Sequence, residues 1–177
     1  MHTYFQRLNH VFFFSLSCLG AFAFLAAATT IGHHPQPVVK LDVPKVMLRR
    51  LHGSSQEQAI LTLAIDADLT SLFNWNVKML FVFITAEYET EPNVLNQVVM
   101  WDHIVQAREL AHLRYESVTN KYSLTDQGYG LKGNNVTLVL NWDVIPTTGL
   151  HLIGHSFDQT YSFRLPNEYL SAAQTSS

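Results

Sequence analysis

Apolar and polar residues alternate with a period of two in several stretches of the chain, and one long stretch near the N-terminus does not alternate at all. In residues 59–69, Leu61, Leu63, Ile65, Ala67 and Leu69 fall on one side and Thr62, Asp66 and Asp68 on the other. That is the pattern of a strand with one face in a core and one in water. Residues 135–145 repeat it, with Val136, Leu138, Leu140, Trp142 and Val144 set against Thr137, Asn141 and Asp143. Residues 156–165 do so again, with Phe157, Tyr161, Phe163 and Leu165 against Ser156, Asp158, Thr160, Ser162 and Arg164. Val77 to Tyr88 (VKMLFVFITAEY) is apolar on both sides, which predicts a central strand covered on both faces. Val38 to Leu48, Val94 to Val105 and Tyr115 to Leu124 are further predicted strands, and Pro44 makes the first an edge strand or a bulge. Turn-forming residues separate these runs at Gly53-Ser54-Ser55, Pro92-Asn93, Asp126 to Gly130, Gly133-Asn134 and Pro146. Only Gln106 to Arg114 has helical character. About seven short strands at this spacing predict an all-β domain over residues 32–170, a two-layer antiparallel sandwich, with a frayed polar tail at residues 171–177.

The exception is Val11 to Ile31, VFFFSLSCLGAFAFLAAATTI, in which only the Cys18 thiol is ionisable. As a helix it spans roughly 31 Å at ~1.5 Å per residue, close to the ~30 Å hydrocarbon core of a bilayer. The rival reading is a cleaved signal peptide, since Ala26 and Ala28 have the small-residue spacing of a cleavage site. A signal-peptide core is shorter, usually about 7 to 15 residues, and the expectation is therefore an uncleaved anchor that holds membrane lipid through residues 11–31. Orientation does not follow from charge, because Arg7 and the α-amine on one side face Lys40, Lys45, Arg49 and Arg50 on the other. Asn135-Val136-Thr137 is the only N-x-S/T sequon. Its use would require residues 32–170 to face the secretory lumen.

Charge and candidate chemistry narrow the function classes. The 177 residues carry 11 Lys+Arg and 14 Asp+Glu, a net charge of −3 without a basic run, so nucleic acid is not an expected partner. Cys18 is the only cysteine, which leaves the C-terminal domain no disulfide and no thiolate metal site. Of the nine histidines, only His33-His34 and His151/His155 are close in sequence. The i, i+4 pair suits a metal on a helix, but its surroundings read as strand and loop. His155, Ser156 and Asp158 hold the residue types of a hydrolytic triad, yet as chain neighbours without a nucleophile-elbow motif. Asp66/Asp68 and Glu87/Glu89/Glu91 each share a strand face but lack the ligand spacing of a calcium loop, and read as solvated. Phe73-Asn74-Trp75-Asn76 reads as a turn packed by its rings or, with Trp101 and Trp142, as part of an interaction surface. No catalytic, cofactor-binding or metal residue is assigned.

Three longer stretches carry a resemblance: Leu72 to Thr90 (LFNWNVKMLFVFITAEYET), Val94 to Val105 (VLNQVVMWDHIV) and Gly128 to Pro146 (GYGLKGNNVTLVLNWDVIP). Together with the N-terminal anchor, they resemble the accessory glycoprotein known as subunit 3 of the eukaryotic signal peptidase complex. The resemblance implies a type II protein of the endoplasmic reticulum, with residues 1–10 in the cytosol, a lumenal domain and a glycan at Asn135. It implies as partners the catalytic subunit, which carries the Ser, His and Asp that cleave signal peptides, and the other accessory subunits. This chain would contribute no catalytic residue and no cofactor, and would support and position the catalytic subunit. The alternative is a membrane-tethered lumenal domain that binds another protein, a peptide or a sugar.

Overall fold

The computed structural model describes residues 3–30, 32–51, 56–126, 128, 130–156 and 158–169. Ile31, the 53–55 turn, Phe157 and the 171–177 tail, all named above, lie outside the described residues.

The apolar segment forms a single helix, α1, Tyr4–Ala28. It begins seven residues before the predicted span, because residues 4–10 continue the same backbone hydrogen-bond ladder into polar sequence. Ser15 and Ser17 turn their hydroxyls back onto the carbonyls of Val11 and Phe13, at 2.8 and 2.9 Å. Their polarity is thus satisfied inside the helix, as a lipid environment requires. Thr29 and Thr30 do the same to Ala26 and Ala27, both at 2.8 Å, and close the C-terminal turn. No residue of the helix is fully buried, and only Ala26–Ala28 in its last turn are half-buried together.

The remainder is two antiparallel sheets. The first holds β1 (Val38–Arg50), β2 (Glu57–Asp68), β5 (His112–Thr119) and β6 (Leu124–Asp126) in the order β1-β2-β5, with β6 also paired to β2. The second holds β3 (Val77–Tyr88), β4 (Asn96–Val105), β7 (Asn135–Pro146), β8 (Leu152–His155) and β9 (Tyr161–Arg164) in the order β4-β3-β7-β8, with β9 also on β7. The alternating residues meet between the sheets: Leu61, Leu63 and Ile65 of β2 share one core with Leu80, Val82 and Ile84 of β3 and Val136, Leu138 and Leu140 of β7. The sandwich is as predicted, and the Asp42–Lys45 register break places Pro44 at a bulge in an edge strand, removing a ladder donor where none is needed.

Four local expectations are corrected. The described residues form nine strands rather than seven, because one predicted run splits and a further short strand precedes another. Residues 156–165 are strand only in β9: Gln159 N–H donates to the Ser156 carbonyl at 3.0 Å, and this turn separates β9 from β8, which ends just before the predicted run. Tyr115–Leu124 divides at Asn120, whose side chain accepts from Leu61 N–H at 2.8 Å and donates to the Tyr122 carbonyl at 2.6 Å. The helical character of 106–114 amounts to one 3₁₀ turn, Arg108–Leu110, before β5. Finally, β3 is central in its sheet but covered on one face only; Phe81 and Phe83 are half-buried on the other, stacked with centroids 5.5 Å apart.

Candidate functional surface

The predicted chemical groups resolve into structural contacts. Ser156 is buried, its Oγ accepting from Leu140 N–H at 3.3 Å, while His155 and Asp158 are exposed beside it. A serine held in this way supports the end of β8 and offers no nucleophile to solvent. His151 and His155 flank β8, four residues apart along extended backbone or about 13 Å, too far for one ion. His151 Nδ1 instead donates to Asp143 Oδ2 at 3.2 Å. Asp66 accepts from His112 Nε2 at 2.9 Å, with Arg114 at 3.9 Å, and the His112 hydrogen bond foremost holds its carboxyl below the usual range. Asp68 accepts from Thr70 N–H at 3.0 Å and Thr70 Oγ1 at 2.6 Å, which lowers its pKa too. Glu87 accepts from Gln97 on the neighbouring strand at 2.7 Å, while Glu89 and Glu91 are exposed. Among the described residues no three His, Cys, Asp or Glu side chains gather as a metal site.

Two buried polar residues carry more of the architecture than the sequence suggested. Glu57, fully buried at the start of β2, accepts from Leu131 N–H at 2.8 Å, Lys132 N–H at 3.2 Å and the Tyr169 hydroxyl. Asn76, 3% exposed, donates to the Thr148 carbonyl at 2.7 Å and accepts from Thr148 N–H at 3.1 Å, while its own carbonyl accepts from Thr147 N–H. The first ties both sheets at one end of the sandwich, and the second locks the β7–β8 loop at the other. A lone Glu at a strand start and an Asn in an aromatic turn give no such signal without their partners.

The outer faces of the sheets differ in kind. On the first sheet, Lys40, Asp66 and Arg114 stand in one row across β1, β2 and β5. On the second, the corresponding row reads Ile104, Phe81, Asp143 and Ile153 across β4, β3, β7 and β8, with Phe83 and the Met79–Ile145 pair beside it. Ile104 is 49% and Ile153 73% exposed. Within this apolar row Asp143 Oδ1 is buried with no hydrogen-bond partner among the described residues. The next row, Asp102, Phe83, Asn141 and His155, is polar around its ring, so the face is a half-exposed apolar strip bordered by polar groups, set against a charged face on the other sheet, and an apolar strip rimmed in this way suits an interaction surface. Of the tryptophans, Trp101 and Trp142 are core residues and only Trp75 is exposed. It borders a pocket of about 370 Å³ between the Phe73–Val77 turn and the Gln106–Glu109 segment.

A family model described as "Signal peptidase subunit" matches residues 1–168, spanning α1 and both sheets. The chain belongs to the signal peptidase subunit family. It is 42% identical over 156 residues to signal peptidase complex subunit 3 of Gallus gallus, covering 85% of this chain and 87% of that one. The human subunit 3 is 40% identical over the same shares, and that of Drosophila melanogaster 35% identical over 98% of this chain and 99% of its own. In this family member the stretches Leu72–Thr90, Val94–Val105 and Gly128–Pro146 coincide with β3, β4 and β7, so the resemblance is carried by the three adjacent strands that build most of the apolar face.

Proposed function

We propose that this chain is a non-catalytic accessory subunit of the signal peptidase complex in the endoplasmic reticulum membrane. Residues 1–10 are cytosolic, residues 11–31 cross the membrane, and residues 32–170 form the lumenal domain, with Asn135 glycosylated. The observation that carries the reading is a family match running unbroken through anchor and sandwich. Its partners are the catalytic subunit and the other accessory subunits. The apolar face of the second sheet is the surface that holds and positions the catalytic subunit, whose Ser, His and Asp do the chemistry. Asn135 supports the lumenal orientation: it is exposed at the start of β7, about 37 Å along the strand from Pro146 at the helix-proximal end. The test is mild-detergent purification of the tagged chain from microsomes, with mass spectrometry of its partners and a glycosidase shift. Wild type recovers the catalytic subunit and shifts; Asn135→Gln does not shift; Ile104→Glu keeps the glycan and loses the catalytic subunit. A glycosylated chain that never recovers the catalytic subunit would keep the topology, reject the assembly role, and leave a tethered binder of another client.

A further inference from the structure

Three exposed apolar side chains lie at the end of the sandwich from which the helix departs: Trp75 is 67%, Leu110 61% and Leu150 85% exposed. They sit on separate loops that are tied to one another and to the helix end. His33, just past the helix, bonds the Ser71 carbonyl through Nε2 at 2.7 Å. The turn following Ser71 carries Trp75, and Asn76 beside it is bonded to Thr147 and Thr148 at the head of the Leu150 loop. The Arg108–Leu110 turn flanks the Trp75 pocket from the other side. In the Leu150 loop, Gly149 adopts φ +107, and a Cβ built there would come within 3.1 Å of Ala27 Cβ. The loop therefore lies directly against the last turn of α1.

The depth of that turn follows from the helix. From Val11, the first residue past Arg7 and His10, to Ala28 there are 18 residues, or about 27 Å of rise. That nearly spans the ~30 Å hydrocarbon core, so Ala27 sits near the boundary between acyl chains and headgroups. A leucine next to Gly149 has the same depth. Tryptophan is the residue type enriched at that boundary, and the opposite end of the sandwich, where Val94 is 84% exposed, is far from it.

We propose that Trp75, Leu110 and Leu150 form a membrane-seated rim, dipping into the lipid interface on the side where α1 emerges, so that the domain rests on the bilayer instead of hanging from a tether. The occupant of the rim is the bilayer that already surrounds α1. The inference rests on α1 being a membrane span, and the test separates the two ideas.

The full chain is reconstituted in phosphatidylcholine nanodiscs with and without lipid bearing a doxyl quencher in its acyl chains. An environment-sensitive fluorophore is attached to native Cys18, or, in a Cys18→Ser background, to Leu150→Cys, Leu110→Cys or Val94→Cys. All three introduced positions are exposed, so labelling leaves the core intact. The expected result is loss of emission to the doxyl lipid at Cys18 and at positions 150 and 110, with none at position 94. Quenching at Cys18 but not at 150 and 110 overturns the rim while keeping the span. No quenching at Cys18 overturns the span itself. If the label at 150 stays wet in nanodiscs and is shielded only in the purified complex, a protein partner covers the rim and the lipid proposal is wrong.

Discussion

Glu57 is the most demanding test of how the sandwich is held. Its carboxylate sits at zero exposure and takes hydrogen bonds from two successive backbone amides, Leu131 and Lys132, and from Tyr169. Truncation by Glu57→Ala removes the acceptor and leaves the buried Leu131 N–H without a partner, a cost of about 1–3 kcal/mol. The lost charge-assisted bonds at Lys132 and Tyr169 are partly replaced by water, since both are more exposed, and a small cavity adds roughly 1 kcal/mol. The sum is about 2–4 kcal/mol, and at roughly 3 °C per kcal/mol for a domain of this size Tm falls by about 6–12 °C. Glu57→Gln behaves differently: the amide oxygen still accepts from the backbone pair and the amide nitrogen donates to the Tyr169 oxygen. Only the excess strength of charged over neutral hydrogen bonds is lost, about 1 kcal/mol. The assay is thermal and urea unfolding of the full chain in detergent, followed by near-ultraviolet circular dichroism and tryptophan emission, which Trp101 and Trp142 report from inside the core. A Glu57→Ala protein within about 1 kcal/mol of wild type, or equal to Glu57→Gln, would refute the view that this carboxylate carries a fold-wide junction.

Three further outcomes are expected. Asp66 has its carboxyl lowered below the ordinary 3.8 by the His112 hydrogen bond first, then by the Arg114, His112 and Lys40 charges. The stabilisation is therefore present above pH 3.8 and lost as pH falls through the lower folded value, so wild type and Asp66→Asn should differ in urea midpoint near neutral pH and converge in acid. Tyr88 is pushed up to about 12, by burial first and then by the neighbouring Asp126 carboxylate, whose Oδ1 accepts its hydroxyl at 3.1 Å. Burial of the neutral phenol stabilises the fold fully below pH 10 and is lost toward 12, and absorbance titration at the phenolate band should lose a late-titrating component in Tyr88→Phe, while that of Tyr161, raised first by its Asp42 hydrogen bond, stays. Gly154 faces the Trp142 indole so closely that a Cβ would lie 2.3 Å from Nε1. Gly154→Ala should displace the ring, cost about 1–3 kcal/mol and alter the near-ultraviolet tryptophan signal; an unchanged spectrum would mean β8 simply lifts away.

Most of the sandwich is legible in the chain because the core-facing side of its long strands recurs with a period of two. β2 buries every second residue from Glu57 to Ala67, and β7 buries Val136, Leu138, Leu140 and Trp142, with Val144 half-buried at its end and Val139 buried on its other face. The shorter elements are less legible for a physical reason: β8 and β9 are four residues each, too short for alternation to distinguish them from the turn between them. Phe81 and Phe83 mislead differently. An apolar outer face reads as a strand covered on both sides, and the two situations become distinguishable only once the register shows Ile104, Asp143 and Ile153 alongside, with Ile104 and Ile153 exposed. The candidate surface is thus visible in sequence as an excess of apolar residues, but its location comes from pairing. Glu57 and Asn76 were illegible because their partners lie 74 and 72 positions away in the chain.

The sheet order also has a consequence in time. A chain made from its N-terminus yields β1 and β2, then β3 and β4, as two local pairs, but β3 stays bare along one edge until β7 appears, and among the described residues the last buried core side chain is Leu165. During synthesis that edge of β3 therefore waits, unpaired, while residues 89–134 are made. Such long-range closure is slow and exposes sticky strand edges meanwhile. Asn135 emerges at the very start of the strand that ends the wait, so any sugar added to it would arrive on a chain still open, before the wall it belongs to has been built.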